Sequence, residues 1–240
     1  MNEPNEPATA LSPSASAEPP PTSAAPTAAS AAPDERATSP DAERDAEHLQ
    51  AMHEKQARRR AERATKTLRG GLLMVLTGPG KGKSSSAFGM VARALGWEMR
   101  VGIVQYIKGK WQTGERHFFR RFPDLVTYEV MGEGFTWDVQ DRQRDIAAAS
   151  KAWQRSRELI LDPEYDLVLL DELNIALRNE YLPLDEVVAF LRERPRDKHI
   201  CITGRDAKPA LLEIADLVTE MTLVKHPYQA GYKAQKGVEF

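Results

Sequence analysis

An α/β domain on a mostly parallel six-stranded sheet with helices on both faces is the fold class this sequence predicts. Three observations carry it. Short apolar, β-branched runs alternate with helical stretches from residue 71 onward. Several of those runs are continuous rather than alternating, which marks strands buried on both faces of a parallel sheet. The first run leads directly into a glycine-rich loop and a helix, the order of a P-loop NTPase-like fold.

Taken in chain order, residues 1–40 hold 9 of the 16 prolines and 11 alanines, with no aromatic residue. Such a segment cannot bury enough apolar area to offset its conformational entropy, so a disordered tail is expected. Residues 41–67 lack Pro and Gly, with acids crowding the start and bases the end, which suits a helix and its dipole. Only Leu49 and Met52 stand out among its alanines, so this helix is too polar for a core: it either stands in solvent or docks conditionally, as a substrate lid would. Its cluster Arg58, Arg59, Arg60 and Arg63 reads first as a solvated face.

Strands are expected at 72–76, 101–106, 125–130, 167–170, 199–203 and 217–223, and helices at 84–96, 115–121, 139–161, 184–193 and 207–215. The domain 70–240 is long enough to bury a full core. The formal net charge of −2 carries no basic signature of a nucleic-acid binder. No apolar stretch approaches the ~20 residues that cross a bilayer, and no secretory signal pattern opens the chain, so a cytoplasmic location is expected. Cys201 is the single cysteine and lies in an apolar run, where it reads as a small buried hydrophobe.

The loop Thr77-Gly78-Pro79-Gly80-Lys81-Gly82-Lys83-Ser84 follows the first strand and opens the first helix of the domain. Backbone N–H groups of such a loop face phosphates, and the helix dipole favours their charge. Lys83 would pair with phosphate oxygens and Ser84 would coordinate Mg²⁺. The pattern is a variant. Thr77 stands where the first glycine of G-x-x-x-x-G-K-[ST] belongs, Gly78 comes one residue late, and Lys81 adds a second lysine.

The apolar strand at 167–170 ends in Asp171 and Glu172, the arrangement that reaches a phosphate-bound Mg²⁺ directly or through water. With strands 1 and 4 as neighbours, both acids would lie beside the loop, where parallel sheets bind ligands. The five histidines, at 48, 53, 117, 199 and 226, show no zinc spacing. Read from these residues alone, a phosphoryl-transfer kinase or ATPase and a nucleotide-gated binding module both remain open.

The loop T-G-P-G-K-G-K-S-S, Gly134-Phe135-Thr136-Trp137, L-L-D-E-L-N at 169–174, T-G-R at 203–205 and the H-P-Y-x-A-G ending at 226–231 together resemble one family. It is the P-loop corrinoid (cob(I)alamin) adenosyltransferases, over about residues 70–240. The resemblance implies transfer of the 5′-deoxyadenosyl group of ATP to the reduced cobalt of cob(I)alamin or a precursor corrinoid, releasing triphosphate. It implies ATP as co-substrate held by Gly78, Pro79, Gly80, Lys81, Gly82, Lys83, Ser84 and Ser85, with Arg93 reaching phosphate from further along the helix. Ser84, Glu172 and Asp171 would hold Mg²⁺ or Mn²⁺, and Phe135 and Trp137 would face the corrinoid. An electron donor such as a reduced flavoprotein and a homodimer are implied as well. No side chain is expected to act as nucleophile or base, because cobalt(I) is itself the nucleophile. On residues alone, Phe135 and Trp137 read first as rings that cap the core, and the resemblance reverses that order.

Overall fold

The computed structural model describes residues 40–107, 113–131 and 142–239. The chain divides into two units at Thr67 and Leu68. The described part of the first unit is one helix, α1 (Pro40–Ala64), opened by Asp41 and Glu43 and closed by Arg63. Its charge order is the one the dipole favours, and Leu49 and Met52 are exposed.

The second unit contains β1 (Leu73–Thr77), α2 (Lys83–Leu95), β2 (Val101–Gln105), α3 (Gly114–Phe119), β3 (Val126–Val130), α4 (Arg142–Leu161) and β4 (Leu167–Asp171). It continues with α5 (Leu173–Arg178), α6 (Leu184–Arg192), β5 (His199–Thr203), α7 (Pro209–Ile214), β6 (Leu217–Glu220) and a 3-10 turn at Pro227–Ala230. The sheet order is β3-β2-β4-β5-β1-β6, and every pairing between neighbours is parallel.

Each of the six strands falls where an apolar run predicted one, although the last is shorter than expected and ends at Glu220. Strands β1, β2 and β4 are buried along their whole length, while the edge strand β6 is exposed throughout. Continuous apolar runs are what a strand covered on both faces requires.

Alternate residues of the strands feed two layers. Leu73, Val75, Val168, Leu170, Ile200 and Ile202 face α4 to α7, meeting Ala152, Trp153, Val187 and Leu211. Met74, Leu76, Ile103, Leu169 and Cys201 face α2 and α3, meeting Phe88, Val91 and Phe119. Each fully buried Leu, Ile or Val side chain contributes about 1.5–3 kcal/mol, so these two layers hold the fold. Burial in the second layer pushes the Cys201 thiol up to about 12, with the charge of Asp171 adding to it, so this sulfur is an inert packing group.

One expectation is corrected here. Strands 1 and 4 are not neighbours, because β5 lies between them and pairs with both. The two sequence motifs are therefore joined through a third strand end.

Candidate functional site

All the groups of the site stand at the carboxyl ends of parallel strands, where registry aligns them. Leu76 pairs with Thr203 across β1 and β5, and Gln105 pairs with Asp171 across β2 and β4. Loops leaving that edge converge on one place.

The loop after β1 explains its own irregularity. Thr77 is still part of β1 and is buried, with its hydroxyl accepting the Ala207 N–H at 3.1 Å and its carbonyl accepting the Met221 N–H at 2.9 Å. The turn therefore starts one residue later, at Gly78, whose φ of 97° is a conformation side chains disfavour. Gly80 then donates its N–H to the Met221 carbonyl at 2.6 Å. A Cβ on Gly80 would lie 2.4 Å from the Thr222 carbonyl oxygen. Gly80→Ala should cost about 2 kcal/mol, a fall of roughly 4–8 °C in Tm for a protein of this size. Gly89→Ala, in mid-α2 with nothing near its Cβ position, should leave Tm unchanged or raise it. Thermal denaturation of the pair checks the close approach.

Lys83 opens α2 and is buried, and its ammonium donates to the Gly78 carbonyl at 2.8 Å and the Gly80 carbonyl at 2.5 Å. Burial draws its pKa below the usual lysine value; Glu172 opposes that, whereas Arg205 and Lys81 add to it. Lys81 is paired with Glu239. Ser84 is half-buried on the first turn of α2, next to Lys83, and Ser85 beside it is exposed. Arg93 is not brought to the loop. It sits exposed on the last turn of α2, ten residues beyond Lys83 and so about 15 Å along the axis.

The two acids differ sharply. Asp171 ends β4 and is buried, with one oxygen accepting from Gln105 Nε2 at 2.9 Å and the other from Thr203 Oγ1 at 2.7 Å. Glu172 follows with φ 64° and ψ 21°, a left-handed backbone that costs an ordinary residue about 1–2 kcal/mol. Its N–H donates to Thr203 Oγ1 at 2.9 Å, while its carboxylate makes no hydrogen bond or ion pair among the described residues. Burial and the neighbouring Asp171 charge raise Glu172 to about 7, against the pull of Lys83 and Arg205. A half-buried carboxylate beside a second acid, with no hydrogen-bonded or ion-paired cation among the described residues, has the electrostatic profile of a cation site.

Phe135 and Trp137 lie outside the described residues. Thr203, Gln105 and Arg205 are the groups the sequence reading gave no role. Arg205 is exposed, makes no ion pair among the described residues, and acts electrostatically on both Lys83 and Glu172.

A parallel α/β sheet carrying a strand–glycine loop–Lys-Ser–helix unit, with an acid pair at the same edge, defines a P-loop nucleotide-binding protein. The family model described as ATP:corrinoid adenosyltransferase BtuR/CobO/CobP matches residues 69–240, and the chain belongs to that family. A corrinoid adenosyltransferase of Pseudomonas aeruginosa is 58% identical over 198 residues, covering 82% of this chain and 98% of that protein. One from Sinorhizobium sp is 52% identical over 198 residues, covering 82% of this chain and 92% of its own. The Escherichia coli K12 corrinoid adenosyltransferase is 46% identical over 170 residues, or 71% of this chain and 86% of that one.

Proposed function

We propose that this transferase moves the 5′-deoxyadenosyl group of ATP onto the reduced cobalt of cob(I)alamin or a precursor corrinoid, in adenosylcobalamin biosynthesis and salvage. The observation that carries the reading is the buried Lys83 at a glycine loop, coupled electrostatically to a Glu172 carboxylate that has no hydrogen bond or ion pair among the described residues, in a chain of this family. Cobalt(I) attacks C5′, a Co–C bond forms, and the C5′–O bond breaks with its electron pair leaving on triphosphate. No protein nucleophile or base is needed. The chain's work is to align C5′ with cobalt and to neutralise the departing triphosphate.

Lys83, Lys81 and the N–H groups of the loop and of the α2 N-terminus take up that charge. Ser84 and Glu172 would hold Mg²⁺ or Mn²⁺, with Asp171 fixed behind them. When bound, that ion supplies further neutralisation of the triphosphate. Incubation with ATP, Mg²⁺ and chemically reduced cobalamin should give the adenosylcobalamin spectrum and one triphosphate per turnover. Release of ADP or phosphate instead would mark a phosphoryl-transfer enzyme.

For the corrinoid side, Phe135 and Trp137 are spaced i and i+2, a spacing that would put both rings on one side of the chain if the segment were extended. Two rings there would displace the lower axial base of cob(II)alamin and leave four-coordinate cobalt, which favours Co(I). Phe135→His or Trp137→His would offer a ligand back. Each should suppress turnover from cob(II)alamin with a weak reductant, such as a reduced flavoprotein, far more than turnover from cob(I)alamin. Equal losses in both assays, with a lowered Tm, would make the rings core caps.

The helix α1 is read as the lid over bound substrate, in a homodimer located in the cytoplasm. The 82% coverage by the Pseudomonas relative exceeds what 69–240 alone provides (172 of 240 residues), so the similarity reaches upstream into the α1 region. Removing residues 1–40 should change neither stability nor activity. Removal through residue 66 should raise KM for the corrinoid and leave ATP binding intact, and a rise in KM for ATP alone would dismiss the lid.

A further inference from the structure

We propose that Thr203 is a positioning residue for the metal side of this site, a single hydroxyl that sets the geometry of both acids. The inference rests on the reading of Glu172 and Asp171 as the acids that face the metal of bound MgATP. Thr203 ends β5, the strand inserted between the loop strand β1 and the acid strand β4. It is fully buried, and its Oγ1 lies 2.7 Å from Asp171 Oδ1 and 2.9 Å from the Glu172 nitrogen. An amide N–H only donates and a carboxylate only accepts, so the hydroxyl must give its proton to Asp171 and take the one from Glu172. Both of its directions are thereby spent on consecutive acids.

Gln105 donates at 2.9 Å to the other oxygen of Asp171, so that acid is held from both sides. For Glu172 the Thr203 bond fixes a backbone already turned left-handed, and that turn decides where its carboxylate goes. Past Thr203 the chain then closes on the same carboxylate. A Cβ on Gly204, whose φ is 125°, would stand 3.1 Å from Glu172 Oε2 and 2.8 Å from the Asn174 Cβ. With no side chain there and Thr203 in place, the Glu172 carboxylate is left with a direction and with no hydrogen-bond or ion-pair partner among the described residues. Groups that orient a ligand commonly change metal affinity by 10–100-fold when lost, which sets the scale expected here.

Valine matches threonine in shape and removes the hydroxyl, leaving the Asp171 oxygen and the Glu172 N–H without their bond. Serine keeps the hydroxyl and drops the methyl. The measurement is Mn²⁺ affinity of the full chain saturated with ATP and lacking corrinoid, read from the free-Mn²⁺ paramagnetic resonance signal. Thr203→Val should weaken Mn²⁺ tenfold or more and raise the KM for Mg²⁺ more than it lowers kcat. ATP binding in EDTA should be unchanged. Thr203→Ser should lie within about threefold of the unsubstituted protein. If Thr203→Val does not fold, Thr203→Cys places a weakly bonding thiol in a similar volume and should fall between the two. Wild-type Mn²⁺ affinity in Thr203→Val or Thr203→Cys overturns the proposal, and so does a serine variant as weak as the valine one. If the unsubstituted chain itself fails to hold Mn²⁺ with ATP, the reading of the acids falls instead.

Discussion

Lys83→Ala abolishes ATP-dependent adenosylation, with an expected loss of at least about 10³-fold in kcat/KM, or about 4 kcal/mol of transition-state stabilisation. The side chain is buried at the start of α2, and its ammonium is held by two loop carbonyls, those of Gly78 and Gly80. Substitution removes the charge that meets the leaving triphosphate. It also strips two charge-assisted bonds, each of about 1.5–3 kcal/mol, from the loop's internal frame. Some stability will go with them, so activity must be compared with Tm. Gly80→Ala provides the yardstick, because it perturbs the same loop without touching the charge. Lys83→Ala should lose far more activity than Gly80→Ala at an equal fall in Tm. Turnover near that of the unsubstituted protein would remove the loop from the mechanism.

What the sequence revealed of this site was its local part. The loop and the acid pair are contiguous motifs, and each was legible because strand, turn and helix signals flank it in the right order. Strand order was not legible. Pairing of β5 with both β1 and β4 is a long-range choice that no local pattern encodes, and it inserted a strand between two motifs expected to be adjacent.

That insertion hides what Thr203 does. The T-G-R motif at 203–205 belongs to the resemblance, but a threonine closing an apolar run otherwise reads as a strand former, and its two bonds exist only after β4 and β5 pair. Gln105 is concealed for the same reason on the other side of β4. The short helix α5 escaped because it has six residues and no side-chain cap, and begins from the left-handed Glu172. Arg93 entered only through the resemblance, since no local signal ties it to the loop. Ten residues carry it to the far end of α2 and off the face of Lys83.

Glu172→Gln is expected to cost at least about 10²-fold in turnover at low Mg²⁺, and its pH behaviour identifies the cause. In the metal-free fold, burial and the charge of Asp171 hold this carboxyl at about 7, above its ordinary value of 4.5. The sign follows from linkage. A raised folded-state pKa means stability that is fully present below 4.5 and is lost as pH rises through about 7. Near pH 8 the metal-free protein therefore carries a charge its fold disfavours, and Glu172→Gln should raise its Tm there and leave it unchanged near pH 4. Burial sets most of the difference; Asp171 adds to it by repelling the charge, and Lys83, Arg205 and Arg178 reduce it by attracting the charge. Metal uptake reverses the balance, since the bound form needs the carboxylate. Affinity for Mn²⁺ with ATP should rise with pH and level off just above 7 in the unsubstituted chain, with a proton released on binding below that point. Calorimetry in two buffers of different ionisation enthalpy reads that proton directly. In Glu172→Gln both the proton and the slope should vanish, leaving weak, pH-independent binding. A variant more stable at pH 8 yet poorer with metal fits a residue kept strained for its ligand. Should it lose neither the slope nor the affinity, the metal is held elsewhere and Glu172 serves only to turn the chain.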